Sequence, residues 1–323
     1  MDQEKRGAIR ASEHGGRSNS AGRLRWLAIR VRALRAFSFP ISVLPVVVAT
    51  AAVRPITEWD WRILVGSVVG VALLHAAGNL LNDYFDYRSG VDRRETGDEG
   101  RPGRFLIRGE ITPRAILVES VVCLALVVPI AVYVVSRRGP GLLWFGAAAV
   151  CGLYAYTGPP FQLKYRALGE LVIFLVFGPF LMLGAAYAQA GQLEWNVLFY
   201  AVPVGLMTTA VLVGNNLRDF QEDQEARIVT LAHVAGESAM RLLYVALVVS
   251  SALFLAVLGV IGLAPASLVA SPFALILLLR PLASVWRGER VADIDVWTAR
   301  FETVLLLFLG TVLVISGPAG VAL

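Results

Sequence analysis

Two stretches of this 323-residue chain place carboxylates and carboxamides at helical spacing where apolar runs come to an end. In HAAGNLLNDYFDYRSGVD (75–92), His75, Asn79, Asn82 and Asp86 recur at i, i+4, i+7 and i+11, one stripe of a helix, and Asp92 follows past Gly90. In VGNNLRDFQEDQEA (213–226), Asn215, Asp219 and Asp223 stand at i, i+4 and i+8. Carboxylate and amide oxygens are the donors that hard divalent cations take, and magnesium typically binds one or two carboxylates and fills its other positions with water and phosphate oxygens. Two such clusters facing each other suit a diphosphate bridged by magnesium ions. Arg88, Arg93, Arg94, Arg101, Arg104, Arg108, Arg218 and Arg227, with Lys164, are cations able to bind the phosphate oxygens directly. A single Asp at a helix end is commonly a solvated flank; a duplicated Asn-x-x-x-Asp pattern at two helix ends is not explained that way.

The elements that position these residues belong in a bilayer. The chain is 57% hydrophobic and only 16% charged, with a mean hydropathy of +0.66, a composition that excludes a water-soluble globule, a disordered chain and a collagen-like repeat. Cys123 and Cys151 both lie inside apolar runs and read as packing residues, not as a disulfide or a zinc site. Nine apolar runs, near 37–53, 63–82, 115–136, 141–157, 168–190, 195–214, 240–262, 266–286 and 301–320, predict an all-α membrane protein of nine transmembrane helices within residues 37–323. Prolines 40, 45, 129, 179, 203 and 272 within them predict kinks. Residues 1–22 read as a disordered tail, and 23–36, which interleave Arg with Leu, Trp, Ile and Val, as an amphipathic segment at the membrane surface or a positive flank of the first span.

The charges then set the topology. With the N-terminus inside, 24 of the 29 basic residues face the cytoplasm, as do the long connections and both acidic motifs. The net charge of +5 is thus a feature of particular loops, and no nucleic-acid partner is expected. Glu119, Arg280, Glu302 and His75 are polar groups within the spans to which the sequence assigns no role.

At the two motifs the sequence resembles the UbiA-type intramembrane aromatic prenyltransferases. NDYFDYRSGVD (82–92) and NNLRDFQEDQEA (215–226) are similar to that family's two Asp-rich motifs, GRFLIRGEIT (103–112) to its Arg-containing loop, and YTGPPFQLKYRALGE (156–170) to its Tyr-Thr-Gly-Pro turn; the resemblance spans most of residues 37–260. Asp92, six residues beyond Asp86, is spaced as in the branch that prenylates 1,4-dihydroxy-2-naphthoate for menaquinone. The resemblance implies that the nine transmembrane helices stand around a central cavity, with magnesium as cofactor, held with the diphosphate by Asn82, Asp86, Asp92, Asn215, Asp219 and Asp223. It also implies diphosphate contacts from Arg104, Lys164 and Arg218, and Tyr156 at the reaction centre, its ring face toward a developing allylic cation. One departure is Ala226-Arg227-Ile228-Val229-Thr230-Leu231, which lacks the Lys that close relatives carry before Thr-Leu; either Arg227 takes over its charge or the acceptor pocket differs.

The function implied is transfer of a polyprenyl group from a polyprenyl diphosphate to an aromatic quinone precursor, within a lipid bilayer and on the cytoplasmic side of a prokaryotic plasma membrane. Asp86 and Asp219 would be catalytic with Tyr156. Other acceptors keep the same mechanism: 4-hydroxybenzoate, a tetrapyrrole or haem, a glycerol-phosphate lipid or a pathway-specific aromatic. The rival from another class is a cation- or proton-coupled transporter, which predicts carboxylates near the midplane and an inverted repeat.

Overall fold

A computed structural model describes residues 26–54, 57–90, 104–225 and 227–316, and every described regular element is helical. The main elements are α1 (Trp26–Ala33), α2 (Pro40–Ala52), α3 (Trp61–Ser89), α4 (Pro113–Arg138), α5 (Leu142–Thr157), α6 (Gly169–Ala190), α7 (Trp195–Arg218), α8 (Phe220–Glu225), α9 (Glu237–Val260), α10 (Ala266–Trp286) and α11 (Ile294–Ser316). The expected tail at 1–22 lies outside the described residues.

Each of the nine apolar runs is helical, but the count of nine spans is not met. Among the described residues seven helices (α3, α4, α6, α7, α9, α10 and α11) are long and apolar enough to cross a membrane. The first expected span, α2, has 13 residues and meets α1 through a 41° bend, and the fourth, α5, has 16. At about 1.5 Å per residue, helices of these lengths reach only about 20 and 24 Å of a roughly 30 Å hydrocarbon layer.

Local chemistry sets the ends. The Asp60 carboxylate accepts from the N–H groups of Arg62 (3.0 Å) and Ile63 (3.4 Å) and so starts α3. At its far end α3 runs past its apolar stretch to Ser89 and stops at Gly90 in the left-handed region (φ 78°), so that Asn82, Asp83 and Asp86 are all helical. Thr112 caps α4 ahead of Pro113. The predicted kinks take specific forms: a π-helical stretch, Val176–Phe180, around Pro179, and a 3-10 stretch, Ala266–Leu278, around Pro272.

Two thirds of the apolar window of α7 (67%) is buried against 11% of that of α4, which makes α7 the inner helix and α4 an outer one. α7 packs against α6, α9 and α11, α2 against α11, α6 and α3, and α3 against α4 and α5. The α6–α7 approach depends on glycine: a Cβ on Gly178 would lie 2.7 Å from the Ala201 carbonyl oxygen and 2.9 Å from Gly205 Cα.

Candidate active site

The end of α3 carries two buried carboxylates, and each is met by groups from remote parts of the chain. Asp86 accepts from Lys164 Nζ at 2.9 Å through Oδ2 and from the Tyr165 hydroxyl at 2.6 Å through Oδ1. Burial works against the Lys164 ammonium, but the Asp86 carboxylate beside it prevails and holds its pKa well above the usual lysine value. Burial, reinforced by Asp86 against the pull of Lys164, likewise lifts the Tyr165 phenol well above its ordinary range. Asp83, one turn back, accepts from Arg35 Nη2 at 2.6 Å. Asn82 Oδ1 is buried with no hydrogen-bond partner, a costly state for an amide oxygen unless a ligand supplies the partner.

The rest of the polar stripe on α3 anchors the N-terminal segment. His75 contacts Ser42 Oγ through Nδ1 (2.8 Å) and Ser38 Oγ through Nε2 (3.1 Å), and Asn79 Nδ2 donates to the Leu34 carbonyl (3.0 Å). Together with the Arg35–Asp83 pair these bonds fix the bend between α1 and α2. Residues 26–36 are thus more than a positive flank, because they supply a cation to the first motif. Glu119 pairs with Arg30 of α1.

The second motif is organised around one guanidinium. Arg218 donates to both oxygens of Asp219 (2.7 and 2.9 Å), to Asn215 Oδ1 (2.6 Å) and to Asp295 Oδ2 on α11 (2.5 Å). Four of the roughly five N–H donors of an arginine are engaged. The regular helix stops at Arg218, Asp219 is its cap, and α8 begins at Phe220. Helical bonding nevertheless continues through the break, since Asp219 N–H donates to the Asn215 carbonyl and Asp223 N–H to that of Asp219. Both Asp219 and Asp223 are buried.

The connection from α5 to α6 bridges the two motifs. It provides Lys164 and Tyr165 to Asp86, and at its end Glu170 accepts from Asn216 Nδ2 of the second motif at 2.9 Å. A Cβ on Gly169 would sit 3.5 Å from both Lys164 Cα and Tyr156 Cε2, and 3.8 Å from Leu212 Cδ2 of α7, so the half-buried Tyr156 stands where α5, α6 and α7 converge.

The structure thus brings Asp86 to Lys164, and Asn215 and Asp219 to Arg218. Arg104 opens a short helix, Arg104–Ile107, while Arg227 lies exposed on the turn after α8 at φ 57°. Asp92 lies outside the described residues. Among those residues no group of three or more His, Cys, Asp and Glu side chains is placed to hold a metal. The donors are hard oxygens grouped by motif, Asn82 with Asp86 and Asn215 with Asp219, and one of them, Asn82 Oδ1, is buried and unpartnered. That set fits magnesium, which asks for one or two carboxylates and leaves its other positions to phosphate. Sequence reasoning missed Arg35, Asp83, Tyr165, Glu170, Asn216 and Asp295. Asp83 and Asn216 stood inside the quoted motifs, and Tyr165 next to Lys164, while nothing in the sequence marked Asp295.

A bundle of membrane-length helices with paired Asn/Asp motifs beside lysine and arginine defines the class of an intramembrane enzyme that handles a charged headgroup on an apolar molecule. The sequence matches the UbiA prenyltransferase family over residues 42–309, and the chain belongs to that family. It is an integral membrane prenyltransferase, which sets the transporter alternative aside. It is 35% identical over 286 residues to the chicken protein named UbiA prenyltransferase domain-containing protein 1, covering 87% of this chain and 83% of that one. The human protein of the same name is 36% identical over 66% of this chain and 63% of its own length. In fold, the chain is similar to a UbiA homologue from Archaeoglobus fulgidus bound to GPP and Mg2+, with a TM-score of 0.66 at 16% identity over 89% of this chain and 99% of that one. It is also similar to a structure described as digeranylgeranylglyceryl phosphate synthase, with a TM-score of 0.60 at 16% identity over 90% and 99%. These relatives do not support the narrower expectation of the menaquinone branch, since the name they carry specifies no naphthoate acceptor. Their animal origin also overturns the expectation of a prokaryotic plasma membrane.

Proposed function

We propose that the chain transfers a prenyl group from a prenyl diphosphate to an aromatic acceptor with magnesium as cofactor. The observation that carries this reading is the Asp86–Lys164–Tyr165 cluster beside the unpartnered Asn82 oxygen. It sets a cation and a hard-oxygen donor pair side by side, the two requirements of a metal diphosphate. The GPP and Mg2+ bound to the Archaeoglobus homologue point to the same chemistry. Asn82, Asp86 and Asp92 of the first motif, with Asn215, Asp219 and Asp223 of the second, would hold the metal. Magnesium, when bound, supplies neutralisation of the charge that gathers on the departing diphosphate.

Lys164 donates to a phosphate oxygen while remaining protonated, and Arg104, Arg218 and Arg227 add cationic contacts. The allylic C–O bond breaks with its electron pair leaving on the diphosphate, and the Tyr156 ring faces the resulting positive carbon. An electron-rich ring carbon of the acceptor attacks it, a C–C bond forms, and loss of a proton or of carbon dioxide restores aromaticity. The apolar surround of the spans admits the lipid tail and keeps water from the cation. The arginine distribution supports a site on the cytoplasmic face. For the acceptor, the position of Asp92 favours 1,4-dihydroxy-2-naphthoate as the first compound to test.

The test is incubation of purified protein in lipid nanodiscs with magnesium, labelled geranylgeranyl diphosphate and a panel of aromatic acids led by that naphthoate, read by mass spectrometry. A magnesium-dependent adduct that disappears in Asp86→Ala is expected. Adduct formation that survives removal of magnesium and of Asp86 would sink the proposal.

A further inference from the structure

Asp219 and Asn215 are offered above as oxygen donors to a cation, yet Arg218 already occupies both oxygens of Asp219 and Asn215 Oδ1. A divalent cation reaching these oxygens must displace the guanidinium, and a displaced guanidinium in an apolar setting needs another anion. Asp295 meets that need from the first turn of α11. Its Oδ2 already accepts from Arg218 Nη1 at 2.5 Å, while its Oδ1 is buried with no hydrogen-bond partner. A carboxylate can take an arginine through both oxygens at once, and here the second oxygen is idle.

The surroundings allow the shift. α7 and α11 lie in contact here, a Cβ on Gly214 falling at ordinary contact distance from Asp295 N (3.5 Å) and Asp295 Cα (3.6 Å), so the Asp295 backbone sits directly against the second motif. Beside Arg218 lies a cavity of about 240 Å³, bordered by Ile294, Val291, Phe220 and Arg290 among others, which leaves the side chain room to turn. Arg290 Nη2 donates to the Arg218 carbonyl at 3.2 Å and holds the backbone while the side chain moves.

We propose that Arg218 is a transferable counter-ion: it caps Asn215 and Asp219 when no metal is bound, and passes to a two-oxygen grip on Asp295 when a divalent cation arrives, with its remaining N–H groups left for the diphosphate. Asp295 is the positioning residue that makes this transfer possible. The inference rests on the magnesium reading of the second motif. It adds to that reading a residue outside both motifs and a reason for its position.

The experiment uses the full chain in detergent, with magnesium chloride and an unreactive geranyl thiodiphosphate as probes, and reads the magnesium concentration that gives half of the maximal thermal stabilisation. Asp295→Asn should raise that concentration about tenfold or more, which corresponds to about 1.4 kcal/mol, the scale of one charge-assisted hydrogen bond. Its melting temperature without metal should stay close to that of the parent. Asp295→Glu, which keeps the charge, should recover most of the affinity and serves as the variant to read if Asp295→Asn does not fold. In an Arg218→Gln background, where there is no guanidinium to transfer, Asp295→Asn should change the half-saturation no further. An unchanged half-saturation in Asp295→Asn overturns the proposal, and so does an equal loss in the Arg218→Gln background. If the parent protein itself shows no magnesium-dependent stabilisation, the magnesium reading falls first and the counter-ion proposal falls with it.

Discussion

The two acidic motifs look alike as sequence and are assembled in opposite ways. The carboxylates of the first are satisfied from far off, Asp83 by Arg35 and Asp86 by Lys164 and Tyr165, separations of 48, 78 and 79 residues. The second is held chiefly by its own Arg218, one residue from Asp219 and three from Asn215, with Asp295 of α11 accepting from that guanidinium and Glu170 of α6 from Asn216. The first motif therefore exists as a site only once three parts of the bundle have come together. The second carries its counter-ion with it, and the rest of the bundle adds Asp295 to that ion and Glu170 to Asn216. Substitutions that leave both helices intact should separate the two designs.

The largest expected effect is at Asp86. Asp86→Asn removes the charge shared by Lys164 and Tyr165, and loss of one such electrostatic group from a reaction centre typically costs about 100- to 1,000-fold in turnover. Product formation by the purified variant should fall to that degree. Turnover within a few-fold of the parent would mean that the first motif is not the reacting half.

The next contrast is in stability. Arg35→Ala leaves Asp83 as an uncompensated buried carboxylate, and breaking a buried pair in this way costs about 3–5 kcal/mol. Arg218→Ala strips its guanidinium from Asp219 and Asp295 and should likewise lower the melting temperature. Magnesium should restore the Arg218 variant, whose carboxylates then have a cation to bind, and leave the Arg35 variant low. Equal rescue of both, or of neither, would erase the difference between the motifs.

Lys164 should show a smaller and more specific loss. In Lys164→Ala, kcat/KM should drop about 100-fold if the amine meets the diphosphate, with Lys164→Arg recovering part of it, since a cation remains but its geometry changes. A melting temperature that falls while kcat/KM holds would confine Lys164 to bracing Asp86.

What the sequence made legible follows from the same contrast. The second motif's Asn215, Asp219 and Arg218 are close in sequence, so helical spacing alone brought them together, and the structure keeps them together even though the regular helix ends at Arg218. Asp86 and Lys164 were each visible as residues, but their contact depends on how the α5–α6 connection folds back on α3, which no local periodicity encodes. Arg35 lay in a segment read as amphipathic or as a positive flank, and Asp295 drew no reading, because a charge near a span end has the same appearance whether it faces water or a partner. Of the nine apolar runs all became helices, but α2 and α5 are too short to count as spans, and hydropathy windows are least informative about ends. His75 and Asn79 were placed correctly on the stripe with Asn82 and Asp86, yet their bonds to Leu34, Ser38 and Ser42 give them an anchoring role that spacing could not separate from a ligand's.

The smallest predicted effect concerns Tyr165, and it tests whether the first motif's hydrogen bonds hold across pH. Tyr165→Phe removes the 2.6 Å bond to Asp86 and leaves the Lys164 contact in place, so turnover should fall only about three- to tenfold, the equivalent of about 1 kcal/mol for one hydrogen bond. Both partners of Asp86 have folded pKa values raised above their ordinary ones. For a group shifted upward, the stabilisation is complete below the unfolded value, about 10 for tyrosine and about 10.4 for lysine, and is lost only as pH rises through the folded value. The ratio of parent to Tyr165→Phe activity should therefore be constant from pH 6 to about 9. A ratio that declines toward unity within that window would show the phenol losing its proton there, and would mean that the Asp86 cluster is more open to water than its burial indicates.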